Sequence, residues 1–212
     1  ITVTNASTGI LIYNATGPTT HNTLTNNIIY NNSAYGIKCA GGTHNTFSSN
    51  IVHHNNWTGI YLNHSGNDNA ILSNQIFHNG NGSHLYSYPY IGGIMLVNES
   101  DGNTLHDNDI HNNSYVGIGL DDAFINNITL NRISNHTHYG INSYDCLNNY
   151  IVDNEIIGPL APIPSETYDL FVKTEAGWQL YHQFHFLKQY QKVTVDLSEV
   201  LPDADGEYKI RL

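Results

Sequence analysis

Positive charge is scarce in this chain. Only 7 residues are Lys or Arg, against 18 Asp and Glu, and the formal net charge is −11. Such a surface repels phosphate backbones and anionic membranes, so nucleic-acid binding is excluded as a leading function. Long apolar runs are missing too. No segment approaches the roughly 18 apolar residues that a membrane helix needs, so we expect no membrane span.

What the sequence has instead is a repeat of 23 or 24 residues. Each repeat starts at an asparagine, has an apolar residue at +2, a second asparagine at +5 and a branched aliphatic at +7. The anchor asparagines are Asn22, Asn45, Asn69, Asn103, Asn126 and Asn149. A Gly-Ile pair recurs in the same register, at Gly9, Gly36, Gly59, Gly93, Gly117 and Gly140.

Apolar residues two positions apart are typical of strands, and no segment carries a helical period. Each repeat therefore predicts three short strands joined by tight turns. One coil cannot bury its apolar face alone, but coils stacked about 4.8 Å apart can. The sequence predicts an all-β fold, a right-handed parallel β-helix in which Leu24, Phe47 and Ile71 form one core column.

The recurrent polar residues fit this architecture. Asparagine amides at the same turn of successive coils are expected to hydrogen-bond along the axis as a ladder. The glycines are expected at sharp corners, where a positive φ angle favours them.

Two segments of the repeat are similar to those of a known family. They are Asn45–Val52, sequence NTFSSNIV, and Trp57–Leu62, sequence WTGIYL. They resemble the β-helix repeats of the NosD and pectate-lyase-like superfamily over residues 1 to 158. The resemblance implies the fold but no single activity, because that superfamily includes lyases, hydrolases, epimerases, adhesins and scaffolds. The style of the sequence suggests an archaeal surface protein.

The repeat fades after Gly158. We expect a β-helix over 1–158, a Pro-rich linker over 159–166 and a small antiparallel β-sandwich-like module over 167–212. The chain begins inside the repeat and ends on a strand-like segment, so we expect a fragment or a processed form. Residues 80–90 form an insertion of about ten residues, and insertions in solenoids project as loops.

Ten Asn-X-Ser/Thr sites favour an extracellular glycoprotein, although an Asn-rich chain also creates such sites by chance. They begin at Asn5, Asn14, Asn31, Asn56, Asn63, Asn81, Asn98, Asn112, Asn127 and Asn135.

The two cysteines do not predict a disulfide. Cys39 falls in a core column and Cys146 lies several coils away. That separation is too long for a bridge. We expect Cys39 to be a buried free thiol, while Cys146 is either free or linked to another chain.

Asp121, Asp122 and Asp145 are the candidate catalytic carboxylates, since paired acids near a strand end are typical of β-helix polysaccharide hydrolases. The resemblance also implies companion elements that are missing: a Gly-His-Gly loop, an Arg-Ile-Lys run and an Asp-Pro-His-Asp signature. Only Lys38 and Arg132 lie in the solenoid, where a lyase needs a basic residue. A solvated turn explains these aspartates better.

Histidines recur at His53, His54, His78 and His111. On adjacent coils they are about 5 Å apart, a spacing that suits a shared metal. The NosD resemblance suggests copper, yet Met95 is the sole methionine and no zinc motif is present. Surface histidines without metal are the preferred interpretation. Asp203, Asp205 and Glu207 resemble part of a calcium loop, but a turn suffices, so no cofactor is predicted beyond a weak Ca²⁺ candidate.

Tyr86, Tyr88 and Tyr90 of the insertion, with Trp57, are the candidate glycan- or partner-binding residues, because aromatic rings stack on sugars and anchor interfaces. Tyr35, Tyr115 and Tyr139 also lie near Gly-Ile corners. The rings either form an aromatic ribbon on one side or cover a sheet.

The leading interpretation is a non-catalytic extracellular structural or adhesive glycoprotein of a cell-surface layer, sheath or filament. Its partners would be copies of itself or other surface proteins, with glycans as a further ligand. The alternatives are a carbohydrate-active enzyme using the three aspartates and a glycan-binding module.

Overall fold

A computed structural model describes residues 1–13, 19–81 and 91–158 in full, and the backbone of strands at 167–174, 177–185 and 208–211. The chain divides into two compact units, Ile1–Pro159 and Leu160–Leu212. Throughout the described part the regular elements are strands, and no helix occurs.

The first unit contains nineteen strands, three for each complete coil. The first nine are β1 (Thr2–Thr4), β2 (Ile10–Tyr13), β3 (Thr23–Thr25), β4 (Ile28–Tyr30), β5 (Ile37–Ala40), β6 (Thr46–Ser48), β7 (Ile51–His53), β8 (Ile60–Asn63) and β9 (Ala70–Leu72). The others are β10 (Gln75–Phe77), β11 (Gly92–Val97), β12 (Thr104–His106), β13 (Asp109–His111), β14 (Val116–Asp121), β15 (Asn127–Thr129), β16 (Arg132–Ser134), β17 (Tyr139–Tyr144), β18 (Tyr150–Val152) and β19 (Glu155–Ile157).

These strands form three parallel sheets. Sheet 1 has the order β1-β4-β7-β10-β13-β16-β19, sheet 2 the order β17-β14-β11-β8-β5-β2, and sheet 3 the order β18-β15-β12-β9-β6-β3. Every third strand along the chain returns to the same sheet, so the chain winds as a parallel solenoid of about six coils. This arrangement confirms the predicted three-strand coil.

The core consists of the predicted apolar columns. Leu24 pairs with Phe47, and Phe47 with Ile71, in the expected order. Phe47, Ile71, Leu105 and Ile128 have no exposed surface. Each fully buried side chain of this kind contributes about 1.5–3 kcal/mol, so the columns are the main source of stability.

Three ladders of buried amides follow the axis, one at each corner between sheets. Two of them are the predicted columns beginning at Asn22 and Asn27. In the second, the backbone N–H and the Nδ2 of Asn74 both donate to Oδ1 of Asn108, at 2.9 and 3.0 Å. Its Nδ2 also donates to the carbonyl of Phe47 at 2.9 Å. Each amide therefore satisfies backbone groups that would otherwise be buried without partners.

The third ladder lies ten residues after each of the first five anchors, where sheet 1 turns toward sheet 2. Its members are Asn32, Asn55, Asn79, Asn113 and His136. We call this turn corner 1–2. The ladder amides are buried here as at the other corners.

Positive φ angles at the corners come from residues other than the Gly-Ile glycines. The residue before each ladder position has φ near +55°, as in Asn31 (53°), His54 (54°) and His78 (52°). The φ angle is positive at Gly41, Gly80 and Gly102, which lie outside the Gly-Ile pairs. The expectation that the glycines of the Gly-Ile pairs supply the positive φ angles at the corners was wrong.

Close approach between coils explains the Gly-Ile glycines instead. A Cβ on Gly59 would lie 2.8 Å from the carbonyl oxygen of Gly93, 2.8 Å from Cγ2 of Ile76 and 2.9 Å from Nδ2 of Asn79. Real Cβ atoms almost never come so near. A side chain at this position would push the coils apart.

In the second unit, β20 (Thr167–Thr174), β21 (Gly177–His185) and β22 (Tyr208–Arg211) form an antiparallel sheet of order β21-β20-β22. The small antiparallel β-sandwich-like module over 167–212 remains a prediction, and the expected linker lies outside the described residues.

Both cysteines are free. Cys39 is fully buried, and burial raises the pKa of its thiol to about 11. The predicted buried free thiol is confirmed.

Candidate carbohydrate-binding corner

A shallow depression of about 450 Å³ lies at corner 1–2. Its lining comes from three successive coils and consists of Asn5, Ala6, Ser7, Asn31, Asn32, Ser33, His54 and Asn56. Apart from one alanine, every lining side chain is an amide, a hydroxyl or an imidazole. Such groups donate and accept hydrogen bonds in either direction, so the depression suits a polyhydroxylated ligand.

The corner geometry creates this lining. Asn5, Asn31 and His54 have φ angles of 60°, 53° and 54°, and their side chains are exposed. The next residue in the second and third coils, Asn32 and Asn55, turns inward and joins the third ladder through an Nδ2–Oδ1 bond of 2.8 Å. The ladder is buried, and in the second to fifth coils it presents the preceding side chain to solvent.

A column of stacked rings borders the depression on the outer face of sheet 1. Tyr30 stacks on His53, His53 on Phe77 and Phe77 on His111, with centroids 4.9, 4.9 and 5.0 Å apart and planes within 9° of parallel. Parallel register places these four rings at the same strand position. The ring faces are occupied by one another, so the column offers a ligand mainly the edges of its rings.

Two further histidines lie beside this column. His54 and His78 have centroids 4.9 Å apart, and Nδ1 of His53 is 2.7 Å from Nδ1 of His54. Burial and the neighbouring imidazoles lower the pKa of His53 and of His78. We call His53, His54, His78 and His111 the imidazole cluster. The predicted spacing of about one coil is confirmed.

On the sheet 2 side, Trp57 belongs to a cluster with Tyr35, Tyr61 and Lys38. The Tyr35 ring meets the edge of Trp57 at 5.2 Å and stacks on Tyr61 at 4.7 Å. The Lys38 ammonium lies 5.0 Å from the centroid of Tyr35, within cation–π range. Burial raises the pKa of Tyr35. We call this cluster the aromatic flank, and it lies directly after Asn56 in the chain.

The expected aromatic ribbon is divided into two groups. Tyr35 and Trp57 form one, and Tyr115 and Tyr139 the other, with centroids 5.7 Å apart. Tyr35 and Tyr115 both pack on an outward-facing apolar cluster of sheet 2, which consists of Tyr61, Met95, Val97 and Val116. Tyr86, Tyr88 and Tyr90 lie outside the described residues.

The candidate catalytic aspartates lie at a different corner, where sheet 2 ends. Asp121 is the last residue of β14, and Asp122 and Asp145 follow β14 and β17 with φ angles of 52° and 50°. Because Asp121 pairs with Tyr144, Asp122 and Asp145 hold the same position in successive coils. None of the three lines the depression.

The solenoid cations are engaged elsewhere. Arg132 lies 3.3 Å from Oδ1 of Asp109 and 3.5 Å from Oε2 of Glu155, and Lys38 lies over two tyrosine rings. Within the described residues, no three His, Cys, Asp or Glu side chains are grouped so as to hold a metal ion. The calcium-like run at 203–207 is outside that part.

The glycosylation candidates differ in accessibility. Seven are exposed: Asn5, Asn31, Asn56, Asn81, Asn98, Asn112 and Asn127. Asn63 is buried, with 4% of its surface exposed, Asn135 is half-buried, and Asn14 lies outside the described residues. Asn5, Asn31, Asn112 and Asn135 all occupy the positive-φ position of corner 1–2, which asparagine tolerates well. Corner geometry alone therefore accounts for four of the ten sites.

The sequence interpretation missed the third ladder and the depression above it. A signal was present, because an asparagine recurs ten residues after four of the anchors and His136 takes that place in a fifth repeat. The depression itself has no linear signal, since its lining is spread over residues 5–7, 31–33 and 54–56.

In the described part of the chain, no helix has the length and hydropathy of a membrane span.

Comparisons with known proteins agree on the fold. The A-module of the mannuronan C-5 epimerase AlgE4 of Azotobacter vinelandii is similar, with a TM-score of 0.59 and 17% identity over 74% of this chain and 45% of that one.

A mutant of the periplasmic alginate epimerase AlgG is similar too, with a TM-score of 0.56 and 20% identity over 66% of this chain and 33% of that one. The enzymatically active domain of tailspike protein 2 of bacteriophage CBA120 has a TM-score of 0.50 and 14% identity over 71% of this chain and 23% of that one.

This chain spans less than half the length of each of these solved chains. No curated protein sequence matches it. The sequence profile described as "Right handed beta helix region" matches residues 8–163, which is most of the chain, and the protein therefore belongs to the right-handed β-helix family.

Proposed function

We propose that this chain is a non-catalytic, adhesive β-helix of the cell exterior that binds carbohydrate at corner 1–2. The observation that carries the proposal is the lining of the depression. Asn31, Ser33, His54 and Asn56 offer hydrogen bonds to hydroxyl groups, and a tryptophan cluster begins at the next residue. Amides and hydroxyls beside an aromatic flank form the chemical complement of a sugar ring.

The similar solved structures support carbohydrate as the ligand class. Two of them are named as epimerases of alginate or mannuronan, one of these as periplasmic. At identities of 17% and 20% the likeness extends to the fold alone. The ligand class therefore depends chiefly on the depression. The acidic composition and the exposed Asn-X-Ser/Thr sites support an extracellular location.

The same depression supports binding without turnover. Acid–base catalysis on a glycoside needs a carboxyl group at the bound sugar, and a lyase needs a base there. The lining contains neither Asp, Glu, Lys nor Arg. Its one titratable side chain is His54, which is exposed.

An enzyme remains the second candidate because of one observation. Asp122 and Asp145 share a position in successive coils, and strands in a sheet are about 4.8 Å apart. That distance is close to the roughly 5 Å between the two carboxyl groups of a retaining glycosidase. Those two residues would then carry the reaction, with Asp121 beside them.

Glycosylation and ligand binding compete at this corner. Asn5, Asn31 and Asn56 are all exposed lining residues, so a glycan on any of them would fill the depression. We therefore assign attached glycan to exposed sites elsewhere, such as Asn98 and Asn127. Such a glycoprotein would have copies of itself or other surface proteins as partners.

Binding to defined oligosaccharides tests the proposal. We expect isothermal titration calorimetry to detect binding of mannohexaose or of the mannuronan hexasaccharide to the protein. Asn31→Gly should weaken that binding by about thirtyfold, because it removes two hydrogen bonds worth about 1 kcal/mol each. Glycine accepts the φ of 53°, so the fold should be unaffected.

Asn26→Gly is the matched control. Asn26 is also exposed and has a φ of 56°, but it lies at the corner between sheets 3 and 1, and its replacement should leave affinity unchanged. If the protein binds no oligosaccharide, the proposal is wrong. If the sugars are shortened or epimerised over time and Asp122→Asn stops this, the chain is an enzyme instead.

A further inference from the structure

Corner 1–2 carries histidines that can become positively charged, although the chain as a whole is acidic. The net charge is −11, Arg132 is neutralised between two carboxylates and Lys38 lies over aromatic rings. Fixed positive charge is therefore scarce, and an anionic ligand at this corner would depend largely on groups that become charged, as imidazoles do in mild acid.

The imidazole cluster concentrates four such groups along the axis. His53 and His54 touch through their Nδ1 atoms at 2.7 Å. The His54 and His78 rings are 4.9 Å apart, and those of His78 and His111 are 6.4 Å apart. The cluster covers three successive coils and begins in the wall of the depression, which His54 lines.

The surroundings of the cluster are mostly uncharged. Tyr30 of β4 and Phe77 of β10 stack on its rings, and the Asn112 amide bonds Nδ1 of His111 at 3.0 Å. The charged side chains on the adjoining strands of sheet 1 are Asp109 of β13 and Arg132 of β16, which lie 3.3 Å from each other. Added protons would therefore repel one another without a carboxylate between them.

We propose that the carbohydrate bound at corner 1–2 is an anionic polysaccharide, and that protonation of the imidazole cluster strengthens its binding in mild acid. The inference rests on the proposed carbohydrate-binding function and names the class of ligand. Carboxylate and sulfate groups share the required chemistry, because both accept hydrogen bonds from an imidazolium, which donates from both ring nitrogens.

Linkage fixes the direction of the effect. Burial and mutual repulsion lower the pKa of His53 and His78, so these two are largely neutral above about pH 6.5, the ordinary value for histidine. An anion over the cluster favours the charged forms and raises their pKa values. Binding should therefore take up protons, and affinity should increase as the pH falls.

Three ligands with one backbone provide the test: the mannuronan hexasaccharide, mannohexaose and 6-sulfated mannohexaose. Titration at about pH 7.5 and about pH 5.5, on either side of the ordinary pKa of a free histidine, should show anionic binding that is about tenfold tighter in acid. Mannohexaose should bind equally at both values. Titration in two buffers of different ionisation enthalpy should reveal proton uptake for the anionic ligands alone.

The corner itself offers conservative substitutions. Asparagine holds the equivalent position in the second and fifth coils, at Asn31 and Asn112. The double variant His54→Asn/His78→Asn should therefore fold normally and lose most of the pH dependence. His44→Asn is the control, because His44 is exposed with a φ of 56° at another corner and its loss should leave the pH dependence intact.

The outcomes separate the two proposals. If mannohexaose binds and the anionic ligands show no gain in acid, the further inference is wrong and the carbohydrate-binding function stands. If none of the three binds, both are wrong. A gain in acid that survives in the double variant overturns the assignment to the imidazole cluster. A gain for one anion alone supports the inference and identifies the group as carboxylate or sulfate.

Discussion

His136 replaces an asparagine in the third ladder by reproducing its hydrogen bonds. In the preceding coil, the Nδ2 of Asn113 donates to the carbonyl of Ile76 at 2.9 Å. His136 places Nε2 at 3.2 Å from the carbonyl of Ile110 and Nδ1 at 3.3 Å from the backbone N of Asn113. The neutral tautomer with its proton on Nε2 satisfies both contacts, so the folded state selects an uncharged imidazole.

That selection makes stability depend on pH. His136 is 3% exposed, and burial lowers its pKa from 6.5 to about 4. Between these values the unfolded chain binds the proton and the folded chain does not, so stability falls as the pH drops from 6.5 toward 4. At 1.36 kcal/mol per pKa unit the loss is about 3 kcal/mol. His136→Asn should remove it, as measured by urea unfolding from pH 7.5 down to 4.5.

The control for this prediction is His44→Asn. His44 is exposed on the surface, so its replacement should leave the pH dependence of the unfolding free energy unchanged. Equal slopes for the wild type and for His136→Asn would contradict the assignment. Above pH 6.5 the His136→Asn protein should be within about 1 kcal/mol of the wild type, because the ladder continues with its usual amide.

At the scale of the element, the asparagine ladder is a hydrogen-bonded column. Its interior members contribute more to the free energy of unfolding than the members at its ends. Asn69 is 1% exposed. It receives bonds from the backbone N and Nδ2 of Asn45 at 2.8 and 2.9 Å and donates to the Gly42 carbonyl at 3.0 Å. Asn69→Ala leaves several buried groups unpaired, at about 1–3 kcal/mol each. We expect urea unfolding to show a loss of at least about 3 kcal/mol.

Asn22 provides the comparison within the same ladder. It is exposed, and it bonds Asn45 through its backbone N and Nδ2, both at 2.9 Å. Asn22→Ala removes the bonding of Nδ2 alone, while the backbone N still donates to Oδ1 of Asn45. The change should therefore cost less than about 1 kcal/mol. Similar losses for the two variants would mean that burial does not determine the strength of the ladder.

The elements of this fold were readable from the sequence because two simple rules act together. A period of two places Phe47 and Ile71 inward, and a fixed register stacks them in one column. The corners were less readable. Gly59 is required for the approach of Gly93, a contact between residues of different coils, and sequence alone does not give the distance between coils.

The candidate site was harder still to predict. The spacing of His54 and His78 followed from the repeat, but the depression depends on which side chains three coils present at one corner. Asn5, Asn31 and Asn56 appeared in the sequence as glycosylation sites, while the structure brings them together as the wall of one depression. A linear motif records neighbours along the chain, whereas this surface consists of neighbours along the axis.

At the scale of the whole solenoid, each coil is stabilised by the coils on either side. Burial changes along the axis accordingly. Ile71 and Ile128 have no exposed surface, whereas Ile151, in the same column, is 42% exposed. Ile133 has none and Ile156, its neighbour in sheet 1, is 45% exposed. Strands β17, β18 and β19 are the last members of their sheets among the described strands.

Hydrogen exchange should follow this gradient. Backbone amides open by local unfolding, and coils with fewer buried contacts open at lower free energy. We expect the slowest exchange in Ile60–Asn63 and Gly92–Val97, whose residues are all buried, and exchange faster by at least about tenfold in Tyr150–Val152 and Glu155–Ile157. Mass-resolved exchange of peptic peptides would measure this. Uniform protection over residues 60–157 would instead mean that the coils open as one cooperative unit, which nearest-neighbour coupling does not predict.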